Sequence, residues 1–247
     1  MVTALGSAAR AALATRAHAL SATELRALFP ALVLAPHPDD ETLGCGGLIA
    51  TAASLGLCLK LAFLTDGGGS HLGSPTWTRE RLERTRKQEA REAVRCLGAS
   101  HSDIDFLRWP DGDPYPNESA EFEETVRRLE SWVSGCELRS IWATWAREPH
   151  ADHRAAADVA DTLAQRLSPQ PARMSYLVWG WQLPELADAP SAKRLACAES
   201  IGRRRKALAC HRTQTSDLVQ DAVEGFCIPP ELAALTDEPE EYYLPCP

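Results

Sequence analysis

The chain lacks any run of about 18 or more apolar residues, which excludes an ordinary transmembrane helix. Its first twenty residues, MVTALGSAARAALATRAHAL, also lack the unbroken apolar centre of a secretory signal, because Arg10, Arg16 and His18 interrupt it. The segment reads instead as an amphipathic helix, although its arginines and want of acids also suit an organelle transit peptide. The eight cysteines include no C-x-x-C pair, and Cys58, Cys96 and Cys210 sit inside apolar patterns. Reduced, mostly buried thiols of a cytoplasmic protein are therefore expected in place of a disulfide framework. Residues 221–247 contain no Lys or Arg beside seven acids, so the formal net charge of −8 leaves only −1 for the remainder. No basic face that could track phosphates is apparent, and RRRK at 203–206 reads as a solvated helix face, so nucleic acid is not an expected partner. Internal repeats, low-complexity tracts and linkers are missing as well. One domain over residues 1–247 is the economical reading, with 1–30 a helical extension and 216–247 an acidic C-terminal segment.

What is present is enough apolar sequence for a full core: 247 residues, 45% hydrophobic and 24% charged. ALVLA (31–35) is a short buried-strand candidate, and GGLIATAASLG reads as a helix ending near Gly56. LCLKLAFLT is a second strand, running into TDGGGSH. A long amphipathic helix starts at Arg79 and closes at Gly98, with Ala90, Ala93, Val94 and Leu97 on one face. IDFLRW is a third strand, followed by PDGDPYP, and Phe122, Val126, Leu129 and Val133 then recur at helical spacing. RSIWATWA, HRAAADVADTLAQRL, MSYLVWGWQ and IGRRRKALACHRTQ complete the alternation as strand, helix, strand and helix. Trp142, Trp145, Trp179 and Trp181 fall on strand patterns, where core packing is expected. The chain thus predicts an α/β fold with a mostly parallel sheet and helices on both faces. In such folds ligands bind beyond the carboxyl ends of the strands, where HPDDE, TDGGGSH, WPDGD and REPHADH all fall.

That rim gathers His37, Asp39 and Asp40 with His150, Asp152 and His153. A catalytic zinc ion takes three nitrogen or oxygen ligands and keeps a further position for water, and two histidines with a carboxylate meet that count. Such a metal lowers the pKa of its water to about 7 and polarises a carbonyl oxygen. A carboxylate left off the metal can then act as general base. Adjacent acids at 39 and 40 cannot point the same way, so one suits each task.

With these residues in view, the sequence resembles the PIG-L (LmbE-like) family of zinc-dependent N-acetylglucosamine deacetylases. The family's A-H-P-D-D-E stands here as APHPDDE with an inserted proline, and its H-x-D-H as HADH at 150–153. TDGGGS, RKQEAREAVRCLGA, WPDGD and KALACHRTQ extend the likeness from about residue 31 to 215, with Thr213 replacing a common serine. The resemblance implies a Rossmann-like α/β sandwich and one Zn2+ per chain, held by His37, Asp40 and His153. It implies Asp39 as general base and His150 as the group facing the substrate carbonyl. Asp152 would orient a histidine through its other ring nitrogen, and Glu41 would steady the loop or favour the helix dipole. Arg86, Trp77, Trp109 and His211 are candidates for contact with substrate, the tryptophans by stacking on a sugar face. For Arg86 an ion pair with Glu89 is the competing reading, and for His211 a satisfied helix-end histidine.

The implied reaction is removal of an acetyl group from an N-acetylglucosamine-type conjugate, whose aglycone is open. An amidase acting on a thiol-glycoside conjugate is the nearest alternative. Two histidines and a carboxylate also form the facial triad of iron(II) oxygenases, and Fe2+ suits the same donors, but alternating strands and helices are not that class's β-barrel setting. A serine hydrolase lacks its G-x-S-x-G, and a nucleotide-binding module would leave Asp39 and HADH without a task. The expected partner is a small molecule or glycoconjugate, and assembly with further copies of the chain is compatible with the sequence.

Overall fold

The computed structural model describes residues 6–189 and 191–246. In chain order, α1 (Ser7–Ala14), β1 (Ala17–Ala19) and α2 (Ala22–Ala27) precede β2 (Ala31–Ala35), α3 (Asp40–Ser54), β3 (Leu59–Thr65) and β4 (His71–Leu72). They are followed by α4 (Arg79–Cys96), β5 (Asp103–Trp109), α5 (Ala120–Val133), β6 (Ser140–Thr144), α6 (Ala151–Arg166) and β7 (Ala172–Tyr176). The remainder comprises β8 (Ala192–Ala196), α7 (Ile201–Leu208), α8 (Arg212–Thr215), β9 (Glu224–Gly225), α9 (Pro230–Ala233) and β10 (Glu240–Pro245).

Among the described residues, eight strands form one sheet in the order β1-β8-β10-β7-β6-β2-β3-β5. All pairs are parallel except those of β10, which lies antiparallel between β7 and β8. The expected mostly parallel α/β architecture is the one found. Burial on both faces explains the unbroken apolar run of β2. Ala31 and Val33 pack on the side of Leu48 and Ile49 of α3, whereas Leu32 and Leu34 face Phe122 and Val126 of α5 and Ala156 and Val159 of α6. α4 and α5 begin where Thr78 and Ser119 accept the backbone N–H of Arg81 and Phe122.

α3 carries glycines because it lies so close to its neighbours. A Cβ on Gly44 would sit 2.3 Å from Cδ2 of Tyr176, and one on Gly47 would sit 2.7 Å from Sγ of Cys197. This close seat brings the first turn of α3 to the carboxyl end of β2. Thr65 secures the same corner, donating to the carbonyl of Pro36 through both its N–H (2.9 Å) and its Oγ1 (3.0 Å).

Several expectations need correction. The first thirty residues hold β1 as well as two short helices, and β1 extends the sheet beside β8. Residues 1–5 of the expected amphipathic helix lie outside the described residues. The acidic segment contributes β10 to the sheet interior, with Glu241 buried and accepting the N–H groups of Gly47 and Leu48. Arg204 is wholly buried, donating to Glu241 and to the carbonyls of Thr236 and Glu238, so RRRK is not a uniformly solvated face. Its helix breaks after Leu208, and α8 resumes at Arg212. Strand β7 ends at Tyr176, which leaves Trp179 and Trp181 in the connection beyond it. All eight cysteines are free, but only Cys45 and Cys197 are buried, and Cys58 is exposed.

Candidate metal centre and active site

The loops after β2, β3, β5 and β6 meet over one rim of the sheet and line a cleft of about 550 Å³. At its floor, Nδ1 of His37 lies 3.0 Å and Nε2 of His153 lies 3.3 Å from the same oxygen, Oδ2 of Asp40. One ligating atom from each of these three buried residues falls within a 4.8 Å cluster that could hold a metal ion. His37, His150 and Asp152 form a second cluster of this size, in which His150 is only half-buried. Oδ2 of Asp152 lies 2.9 Å from Nε2 of His37 and accepts the N–H of Gly112, while Nδ1 of His150 accepts the N–H of Asp152.

The outward nitrogen of each histidine in the first cluster meets a carboxylate. Nε2 of His37 faces Asp152 and also Asp111, at 3.2 Å. Nδ1 of His153 lies 3.2 Å from Oε2 of Glu148. Glu148 is itself fixed by the backbone N–H groups of Val178, Trp179 and Gly180, all at 2.8 to 2.9 Å. Carboxylates placed in this way set the ring orientation and basicity of metal-binding histidines. The donor set of two imidazoles and one carboxylate suits zinc or iron(II), so these residues fit the metal that the sequence implies.

The electrostatics follow from burial among opposite charges. Burial works to raise Asp40, but the charges and hydrogen bonds of His153 and His37 outweigh it and hold its carboxyl well below the usual range. Burial works to lower His153, but Asp40 and Glu148 bring it up to about 9. Burial likewise opposes protonation of His37, yet Asp111, Asp152 and Asp40 raise it well above its ordinary value. Asp39 differs from its neighbour: burial pushes its carboxyl up, against the pull of Arg86. His150 is lowered by burial and then by its two histidine neighbours. Its side chain is 41% exposed to the cleft, and because Nδ1 accepts a backbone N–H, the proton of the neutral ring sits on Nε2.

Asp39 has φ 135°, a conformation that side-chain-bearing residues rarely adopt. Glu41 holds it there: Oε2 accepts the Asp39 N–H at 2.8 Å, and Oε1 lies 3.0 Å from Nε2 of His211. Arg86 closes the other side, donating to Oδ2 of Asp39 at 3.1 Å and to the carbonyls of Pro38 and Gly67. Strain of this kind persists only where the surroundings over-determine it.

Of the candidate substrate contacts, only Arg86 lines the cleft, and Glu89 binds the N–H and Oγ1 of Thr213 instead of pairing with it. His211 is wholly buried behind Glu41. Trp109 points into the core, donating its Nε1–H to Thr125 at 2.7 Å, so it cannot stack on a ligand. Trp77 lies under the Arg81 guanidinium, 3.8 Å away, and does not line the cleft. The cleft takes Trp179 in their place. Sequence reasoning also missed Glu148 and Asp111. Their signal was present, since Glu148 stands two residues before HADH and Asp111 lies in WPDGD.

A family model described as PIG-L, GlcNAc-PI de-N-acetylase, matches residues 32–164. A search of curated proteins found no match. Among solved structures, N,N'-diacetylchitobiose deacetylase from Pyrococcus horikoshii is 22% identical over 76% of this chain and 71% of its own, with a TM-score of 0.61. The A40926 pseudoaglycone deacetylase is 20% identical over 87% of this chain and 96% of its own, with a TM-score of 0.62. A 4-carboxy-2-hydroxymuconate hydratase from Pseudomonas putida is 20% identical over 73% of this chain and 77% of its own, with a TM-score of 0.60. These likenesses are of fold, and the hydratase performs a different reaction on it, so the sheet alone does not select the chemistry.

Proposed function

Because the chain belongs to the PIG-L family, whose model covers more than half of it and both halves of the His–Asp cluster, we propose that it is a zinc-dependent hydrolase that removes the acetyl group from an N-acetylglucosamine-type amino sugar conjugate. The observation that carries the reading is the convergence of His37, Asp40 and His153 on one point of the cleft floor, with Asp39 beside it and off that cluster.

His37, Asp40 and His153 would hold the metal, which when bound supplies Lewis acidity toward water and the amide carbonyl. Asp39 takes the proton of the attacking water. Its raised affinity for protons, a consequence of burial, suits it to receive that proton near neutral pH and to deliver it to the departing amine. Arg86 keeps the carboxylate of Asp39 aimed into the cleft. The Nε2–H of neutral His150 donates to the carbonyl oxygen as negative charge develops there. Bond formation at the carbonyl carbon and cleavage of the C–N bond then yield acetate and a free amine. Asp111 and Asp152 fix His37, and Glu148 fixes His153. The free thiols fit a reducing, cytoplasmic setting, and among the described residues no helix is long and apolar enough to cross a membrane.

Metal content and acetate release test this reading together. Wild type should retain near-stoichiometric zinc and release acetate from N-acetylglucosaminides. Asp39→Asn should keep the metal and lose about 100-fold or more in kcat, and His153→Ala should lose the metal. Metal retention in His153→Ala, or full turnover in Asp39→Asn, refutes the assignment. Release of a thiol-bearing acid in place of acetate would shift it to the conjugate amidase.

A further inference from the structure

The outer end of the cleft is chemically unlike its floor. Leu72, Leu218, Val223 and Phe226 are the exposed large hydrophobic residues found among the described residues, at 50%, 43%, 83% and 38% exposure. Leu72, Val223 and Phe226 fall on or next to one small element, the two-stranded sheet in which β4 pairs antiparallel with β9. Leu72 and Phe226 line the cleft, joined there by Trp179 and Ile228. The Phe226 ring meets that of Trp179 edge-on, 6.2 Å between centroids.

This flap is a built surface. The N–H of Val223 donates to the carbonyl of Leu72 and that of Phe226 to Ser70, while Asp221 accepts from the hydroxyls of Ser74 (2.5 Å) and Thr76 (2.7 Å). An apolar group left in water on such a fixed support gains by being covered. The charges around it say by what. Asp217, Asp221 and Glu224 accompany the patch in sequence, and Arg81, the cation beside Thr76, is taken up by the carbonyl of Thr76 and the ring of Trp77, which disfavours an anionic lipid surface. Two copies meeting through this face would oppose these acids to one another. An uncharged apolar group reaching out of the cleft meets neither obstacle.

We infer that the β4–β9 flap is an apolar subsite, in which Leu72 and Phe226, with Trp179, hold an alkyl or aromatic group attached to the sugar whose amide lies at the cleft floor. The inference rests on the proposed hydrolase reading and narrows it: the preferred substrates are amphipathic, with an uncharged apolar aglycone.

The test is calorimetric titration of the zinc-loaded protein with methyl, butyl, hexyl and octyl β-D-glucosides below their micellar concentrations, beside acetate release from the matching N-acetylglucosaminides. Affinity of wild type should rise roughly fourfold per methylene that reaches the flap. In Leu72→Ser/Phe226→Ser, whose changes are on exposed side chains and leave the core intact, the dependence on chain length should disappear. An affinity independent of chain length in wild type, or an unchanged dependence in the double variant, overturns the subsite. So does a chain-length-independent protein whose dimer, by sedimentation, or whose binding to phosphatidylcholine vesicles is lost in the double variant. Chain-length-dependent binding with no acetate released refutes the hydrolase reading and leaves the apolar subsite standing, whereas acetate released without that dependence refutes the subsite alone.

Discussion

Asp39 combines two properties rarely found in one residue, a buried carboxylate and a backbone at φ 135°. Their contributions to stability can be separated. Asp39→Ala and Asp39→Gly both delete the partner of Arg86, so the loss of that ion pair is common to them. Only glycine relieves the backbone, and Asp39→Gly should therefore be more stable than Asp39→Ala by about 1–3 kcal/mol, reversing the usual order of the two residues. Thermal melting of the two variants measures the difference, and equal melting temperatures would mean that the conformation is unstrained. The His37–Asp40–His153 cluster was legible at this scale because HPDDE and HADH concentrate possible donors in very short spans. Trp109 was not, because a tryptophan at the boundary of strand and loop looks the same whether its ring turns to the core or to the cleft. Burial decides it, and burial is set by Thr125 and Phe122 on a helix further along the chain.

At the scale of elements, the site depends on how tightly helices and loops approach each other. Gly44→Ala would place a methyl group 2.3 Å from the Tyr176 ring, which is itself tied to the carbonyl of Leu34. The first turn of α3 would be displaced, with a destabilisation of about 1–3 kcal/mol and weaker metal binding through Asp40; denaturant titration and chelator competition read the two effects. Glu148 couples the loop before α6 to the connection after β7 through His153 and three backbone donors. Glu148→Gln should reduce metal affinity about 10–100-fold with the far-UV circular dichroism unchanged, and wild-type affinity in this variant would remove Glu148 from the site. Strands β2, β3, β5 and β6 were legible because each is a continuous apolar run or ends in a glycine- or proline-rich loop. β8 and β10 were not, because charged residues interrupt both, and their cross-strand partners, such as Arg194 and Glu240, become apparent only once the strands are in place. β4 and β9 are two residues each, too short for any periodicity.

For the whole molecule, β10 is the strand that joins the two parts of the sheet. It pairs with β8 over Glu240 to Tyr243 and with β7 at Leu244 and Pro245, while its Glu241 reaches across to α3 and Arg204. A chain stopped after Pro239 should leave a sheet severed at β7 and the buried Arg204 without its carboxylate partner, Glu241. Such a chain is expected to elute as an aggregate on size exclusion, and a monomer with the wild-type melting temperature would contradict the role of β10. The order of the strands also carries a consequence for synthesis. The parallel half from β2 to β7 is complete once residue 176 has been made, yet β8 and β1 have no place in the sheet until residues 240–245 follow. On the ribosome, therefore, β1 must wait about 170 residues for its partner β8 and longer still for the rest of the sheet, and its closure belongs to the slowest, most non-local step of folding.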